Sequence, residues 1–221
     1  MSPHMNPHIR PSAYKPTSVT GFVGDARRIA EFILAKIQRM DAAKDFTPIK
    51  LLLHGPPGTG KTVLAGFLGL QLAKHPLAID RLNGQSCSVE RVRDWQRCSG
   101  LRPMFGDRIV RIVDEVDAAS EAAHNQLRTY LDDLTTGHCF IATTNVEPAR
   151  LQPQLQRRLS IHRVGATPPE TLGQWVHGLW PTIPAAEAQA IAAGNDGCVA
   201  ATLIDVETWL DAQAMATPVA A

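Results

Sequence analysis

Eight residues, Gly55-Pro56-Pro57-Gly58-Thr59-Gly60-Lys61-Thr62, carry the plainest chemistry in the chain. A glycine-rich backbone can wrap an anionic phosphate with its N–H groups, and the start of a following helix adds a favourable dipole. Lys61 can reach the outer phosphates of a nucleotide, and the Thr62 hydroxyl can ligate Mg2+. Pro57, Gly58, Thr59, Gly60, Lys61, Thr62 and Val63 are therefore the candidate cofactor contacts. The plainer reading is a Gly/Pro turn, but a turn has no use for Lys-Thr at its end. Further along, Asp114-Glu115 closes an apolar run. Beside a phosphate loop, Asp114 can hold the Mg2+ shell and Glu115 can polarise an attacking water. Thr143-Thr144-Asn145 ends another apolar run, where Asn145 can touch a γ-phosphate or orient water; a strand-end turn is the alternative, since Asn favours turns. Arg157-Arg158 can stabilise phosphoryl charge at the nucleotide of a neighbouring subunit, or can be a solvated face.

These groups need a scaffold. Residues 49–54 are short and apolar, as a buried strand is, and residues 63–74 follow with Leu64, Phe67, Leu68 and Leu72 at helical spacing. Further strands are predicted at 77–82, 108–113, 139–142 and 160–164. Helices are predicted at 25–40, 88–98 (capped by Ser88), 120–134 and 151–159. The fold class that follows is α/β, an αβα sandwich around a five-stranded parallel sheet. Residues 170–179, 185–193 and 198–214 read as three helices with Trp175, Leu179, Ile191, Leu203, Val206 and Leu210 as a small core. The expected domains are a sandwich over 14–164 and a helical lid over 165–216, with disordered tails over 1–13 and 217–221.

Composition narrows the class. An apolar fraction of 44% is ordinary for a globular chain, and no apolar run is long enough to cross a bilayer. The His/Pro-rich start lacks an apolar signal region, so an intracellular, cytoplasmic protein without a membrane partner is expected. Cys87, Cys98, Cys139 and Cys198 form no CxxC pair and read as buried free thiols. Net charge is only +1, yet no Lys or Arg follows Arg163, while six acids do. A basic sandwich meeting a neighbour's acidic lid favours head-to-tail assembly. Residues 81–111 hold seven arginines against three acids. Arg91, Arg93 and Arg97 are the candidate nucleic-acid contacts, and a solvated or subunit-pairing face is an equal alternative. Trp95 reads as core, and Phe105 as core or turn packing.

Taken together, these motifs resemble an AAA+ ATPase, most closely the sliding-clamp loader branch. GPPGTGKT is the Walker A motif, IVDEVD the Walker B motif, and TTN is similar to sensor 1. Tyr14-Lys15-Pro16 ahead of Val23-Gly24 resembles that branch's N-terminal segment, which implies that Tyr14, Pro16, Val23 and Gly24 lie along the nucleotide and its adenine. LQPQLQRRL sits where the branch carries its Ser-Arg-Cys finger, with Arg158 on the arginine and Arg157 replacing the serine. GCVAATLIDVE is similar to the sensor 2 helix, but Ala200 stands where an arginine is expected. No helical collar is expected after the lid, and so no complete clamp loader, and no aromatic pore loop follows the second strand.

The resemblance implies an ATP-dependent oligomer, a ring or spiral, that binds ATP·Mg2+ where sandwich and lid meet. It would hydrolyse ATP to load or position a partner protein on DNA, in replication or in a mobile element. Two other classes stay open. One is a protein-remodelling ATPase without nucleic acid, which the missing pore loop disfavours. The other is an ATP-gated scaffold without turnover, which Ala200 favours and Glu115 disfavours.

Overall fold

The computed structural model describes residues 10–216; the tail expected over 217–221 and most of that expected over 1–13 lie outside them. Residues 10–13 are not tail-like. Pro11–Ala13 forms a 3-10 turn, and the backbone N–H of Ser12 donates to Glu207 at 3.0 Å.

The described residues divide into two compact units, one of residues 29–56 and 61–164, the other of residues 10–28, 57–60 and 165–216. The first unit is built on a five-stranded parallel sheet: β1 (Lys50–His54), β2 (Ile79–Asn83), β3 (Ile109–Asp114), β4 (His138–Thr144) and β5 (Ser160–Arg163), in the order β2-β3-β4-β1-β5. Every ladder is parallel, with Leu53 opposite Thr143, Val113 opposite Ala142, and Asn83 opposite Asp114. Parallel pairing sends all carboxyl ends to one edge, where ligands of open α/β sheets bind. β4 is buried along its whole length, because it lies between β3 and β1.

The helices are α1 (Gly24–Ala42), which begins in the other unit, α2 (Lys61–Ala73), α3 (Val89–Arg97), α4 (Glu121–Asp132) and the four-residue α5 (Pro153–Gln156). Ser88 caps α3 by accepting from the Arg91 N–H at 3.2 Å, and Ser120 caps α4 through the Ala123 N–H at 3.2 Å. Each such cap stabilises a helix by about 1 kcal/mol. α2 lies close on the sheet because Gly69 has no side chain: a Cβ there would stand 2.8 Å from Ile112 Cδ1. One core cluster joins Trp95, Leu127, Tyr130, Leu131, Leu134 and Phe140 with Val113 and Leu155.

The other unit contains α6 (Pro169–Leu179), α7 (Ala185–Gly194) and α8 (Val199–Ala216). Val176, Trp180, Ile183, Leu203 and Val206 are its core, with Trp175, Leu179, Ile191 and Leu210 packed against them.

Several local expectations are corrected. The helix expected over 151–159 is only Pro153–Gln156, so Arg157 caps it and Arg158 lies beyond it. Leu77, expected to open a strand, is 72% exposed in the 3-10 turn Pro76–Ala78, where Pro76 fixes the turn. Of the two readings of Phe105, turn packing holds and core does not: it is partly exposed and stacks on His75 at 4.9 Å. All four cysteines are free thiols, but only Cys87 and Cys139 are buried.

Candidate functional site

The phosphate loop connects β1 to α2. Gly55 takes φ +144°, and a Cβ on it would fall 2.1 Å from the Val164 carbonyl oxygen, so only glycine lets the chain turn off β1 here. Lys61 is buried, and its Nζ donates to the carbonyls of Gly55 at 2.9 Å and Pro56 at 2.6 Å. Burial lowers its pKa, with Asp117 and Glu115 opposing. An ammonium folded over its own loop is a ready cation for an incoming phosphate. Thr62 and Val63 open α2 and are exposed. In the other unit, the Gly58 carbonyl accepts from the Ala200 N–H at 3.0 Å, and a Cβ on Gly58 (φ +75°) would meet Cys198 Sγ at 2.3 Å. The start of α8 thus touches the loop tip through backbone, a contact that needs no particular side chain at Ala200.

Asp114 ends β3. Its Oδ1 accepts from the Thr143 hydroxyl at 3.1 Å and its Oδ2 pairs with Arg81 Nε at 2.5 Å. Glu115 follows in the left-handed region, φ 53° and ψ 53°. That conformation is strained for a residue with a side chain and persists only where neighbours fix it. Two neighbours do so here: the Glu115 N–H donates to Thr143 Oγ1 at 3.1 Å, and Asn83 Nδ2 donates to Glu115 Oε2 at 3.2 Å. The Glu115 carboxylate is left exposed at the carboxyl edge. Thr143 belongs to the Thr143-Thr144-Asn145 run and Arg81 to the basic window, but nothing in the sequence marks these two or Asn83 as partners of Asp114 and Glu115. Their signal is positional: each lies at or near the carboxyl end of a strand adjacent to β3.

Asn145 follows β4 and is exposed. Thr144 before it donates to Asp117 Oδ1 at 2.6 Å. His54, the last residue of β1, is buried, and its Nδ1 lies 3.7 Å from Glu147 Oε2. Burial lowers the His54 pKa, Arg163 and Lys61 add to this, and Glu147 opposes it.

The structure separates the remaining candidates. Arg158 is tied down by Asp132, Nε to Oδ1 at 2.6 Å and Nη2 to Oδ2 at 2.7 Å, whereas Arg157 is exposed and forms no ion pair among the described residues. Arg91 is taken by Asp80, which also accepts from Trp95 Nε1 at 2.8 Å and Arg111 at 3.0 Å; Arg97 pairs with Asp94 at 2.7 Å. Arg93 is exposed and forms no ion pair among the described residues. Asp80 lies one residue outside the basic window, so a count that starts at Arg81 misses the acid that pairs with Arg91 and Arg111. Tyr14, in the helical unit, packs edge-on against Trp175 at 5.9 Å and Trp180 at 5.8 Å, and burial raises its pKa. Pro16 is half-buried, Val23 is buried, and Gly24 opens α1 at φ +59°.

The donor set fits a metal delivered with a nucleotide. Thr62 and Asp114 offer one hydroxyl and one carboxylate, and no cluster of three or more His, Cys, Asp or Glu could hold an ion alone among the described residues. Mg2+ is commonly held this way, by one or two protein oxygens plus phosphates and water.

Sheet order and loop define a P-loop αβα domain. The chain belongs to the ATPase family associated with various cellular activities (AAA), whose sequence profile matches residues 51–165. It is 33% identical over 147 residues to mouse replication factor C subunit 5, covering 63% of this chain and 42% of that protein. It is 26% identical over 169 residues to replication-associated recombination protein A of Bacillus subtilis, covering 75% and 37%. The replication factor C match agrees with the resemblance to the clamp-loader branch. The chain spans about two fifths of the length of these relatives. The solved structure of Thermotoga maritima RuvB, a Holliday junction branch migration motor, shares the fold with a TM-score of 0.69 at 19% identity, over 86% of this chain and 63% of that one. Among the described residues no helix is long and apolar enough to cross a membrane.

Proposed function

We propose that this chain is an ATP-hydrolysing AAA+ module that works as an oligomer, a ring or spiral, to load or position a partner protein on DNA. One observation carries the hydrolysis: Glu115 stands exposed beside Asp114, its strained backbone fixed by Thr143 and its carboxylate held by Asn83. A carboxylate held but open to solvent can take a proton from water as that water attacks the γ-phosphate. Lys61 leaves the Gly55 and Pro56 carbonyls for the phosphates. Thr62 and Asp114 hold the Mg2+, which neutralises phosphate charge when bound. Asn145 orients the γ-phosphate or the water. Arg158 serves the site of a neighbouring subunit. Tyr14, Pro16, Val23 and Gly24 line the base side of the nucleotide.

The names of the replication factor C and recombination relatives support the DNA step. The ion pairs at Arg91 and Arg97 favour the second reading, a remodeller of protein complexes, because they leave less basic surface for phosphates. ATP turnover with and without DNA decides between them, with Glu115→Gln as the blank. Turnover raised by DNA and abolished in the blank is expected. Turnover that ignores DNA moves the protein-remodelling reading to first place. ATP binding without turnover in either protein leaves a nucleotide-gated scaffold.

A further inference from the structure

Asp114 already has a cation, supplied by the chain. Arg81 and Asn83 are two apart on β2 and share a face of the sheet. Arg81 takes Asp114 and Asn83 takes Glu115, so one edge strand holds both carboxylates of the site. Arg81 also reaches the opposite wall: its Nη2 donates to the Thr62 carbonyl at 3.0 Å. Gly66, one turn along α2, leaves the room for this, since a Cβ there would stand 3.2 Å from Arg81 Nη1. The guanidinium therefore lies between the two residues that offer the metal its protein ligands.

Burial is unequal across the pair. The Asp114 side chain is 13% exposed and fixed on its other oxygen by Thr143, while Arg81 is 40% exposed. The carboxylate stays where it is, and the guanidinium is free to withdraw into water. Mg2+ binds carboxylate oxygens at about 2.0–2.1 Å, and repulsion from a guanidinium on the same carboxylate is strong at such range.

We propose that Arg81 is a built-in counter-ion of the metal site. Its guanidinium and the divalent cation compete for Asp114, so Arg81 sets how tightly the nucleotide-loaded protein holds its metal. This rests on the reading of Lys61, Thr62 and Asp114 as a nucleotide–metal site. The alternative is that Arg81 merely ties β2 to α2, with no effect on metal affinity.

Mn2+ is the probe. Free Mn2+ is followed by electron paramagnetic resonance as the full chain is titrated at saturating ADP, and ADP affinity in EDTA is measured alongside. Arg81→Met is expected to bind Mn2+ about two- to fivefold more tightly, the range for a partly exposed ion pair. Arg81→Lys should fall between, because Lys keeps the charge but not the fork. In an Asp114→Asn background the Arg81→Met effect should vanish, which a merely structural tie would not produce. Mn2+ affinity that is unchanged or weaker in Arg81→Met, or a gain that survives in Asp114→Asn, overturns the proposal. Failure of the wild type to bind ADP overturns the site reading and the counter-ion with it; ADP binding with Mn2+ affinity indifferent to Arg81 overturns only the counter-ion. Should Arg81→Met not fold by circular dichroism, Gly66→Ala presses on the guanidinium without changing any charge. It should tighten Mn2+ in the same direction, and no change there overturns the proposal.

Discussion

The two ends of the parallel sheet treat charge in opposite ways. At the amino end, Arg108 just ahead of β3 is fully buried, with every contact internal: Asp41 Oδ1 at 2.7 Å, the Asp45 carbonyl at 2.9 Å, and the Phe46 ring at 5.0 Å. Lys74 adds a second cation to Asp41 at 3.1 Å. At the carboxyl end, buried Thr143 fixes the backbone side of the pair, but the ionic partner of Asp114 and the side-chain partner of Glu115, Arg81 and Asn83, are themselves exposed. A buried charge with fixed partners makes a rigid joint. A carboxylate held by an exposed partner can exchange that partner for a ligand. The same residue types therefore serve stability at one end and chemistry at the other, and burial of the partner decides which.

The largest stability contrast should come from breaking one pair at each end. Asp41→Ala strands a buried guanidinium. It should cost about 3 kcal/mol, the low end for a broken buried pair, because Asp41 is partly exposed and Arg108 keeps the Asp45 carbonyl. In a chain of this size that lowers Tm by about 6–12 °C. Glu115→Gln should abolish turnover yet shift stability by no more than about 0.5 kcal/mol, as an exposed surface change does. Paired thermal melts check both. Equal losses would remove the distinction between the two ends.

Much of this was legible because patterns carry it. The glycines and Lys-Thr of the loop, the apolar run into Asp114-Glu115, and the run into Asn145 are local, so sheet, loop and the two carboxylates follow from spacing. What was not legible depends on which strands lie side by side. Nothing local in Asn83 or Arg81 announces a partner for Glu115 or Asp114; β2 reaches them only because the sheet pairs it with β3. Asp80 likewise gathers Arg91 and Trp95 from α3 and Arg111 from β3. The short helix was overestimated because its apolar residues Leu151, Leu155 and Leu159 mimic a period, while Pro153 starts the helix only at its middle.

A pH titration sharpens the same contrast. Burial pushes His138, at the amino end, below its ordinary pKa of 6.5; a hydrogen bond with the Leu101 carbonyl opposes this and Arg111 adds to it. Burial also lowers His54, at the carboxyl end. Both are neutral in the folded chain when their unfolded counterparts protonate. The unfolded state then binds more protons, so stability is full above pH 6.5 and falls as pH drops below it. Asp41 acts later. Desolvation raises its pKa, but the bonds from Arg108 and Lys74 outweigh that and leave it below 3.8, so its contribution holds above that pH and is lost as pH falls through the folded value. Denaturant unfolding at several pH values should show two stages of loss. His138→Gln should make the first stage shallower, leaving the share carried by His54, and should leave the second unchanged. A first stage with the same slope in His138→Gln would mean that His138 does not carry it.

The smallest effect is expected at Asp132, which holds Arg158 by two hydrogen bonds although its own side chain is 51% exposed. By the rule drawn from the two ends of the sheet, a pair whose acid is half in water is exchangeable, so Asp132 parks the arginine without fixing the fold. Asp132→Ala should leave the melt nearly unchanged. If Arg158 serves a neighbour's nucleotide, it must leave Asp132 to do so, and removing the acid should raise turnover at low protein concentration by no more than about fivefold, the worth of an exposed pair. Arg158→Ala should abolish that gain in the double variant, while Arg157→Ala should not. A gain that survives without Arg158 would show that Asp132 acts by some other contact, and a gain lost with Arg157 would move the trans role to the exposed arginine of the pair.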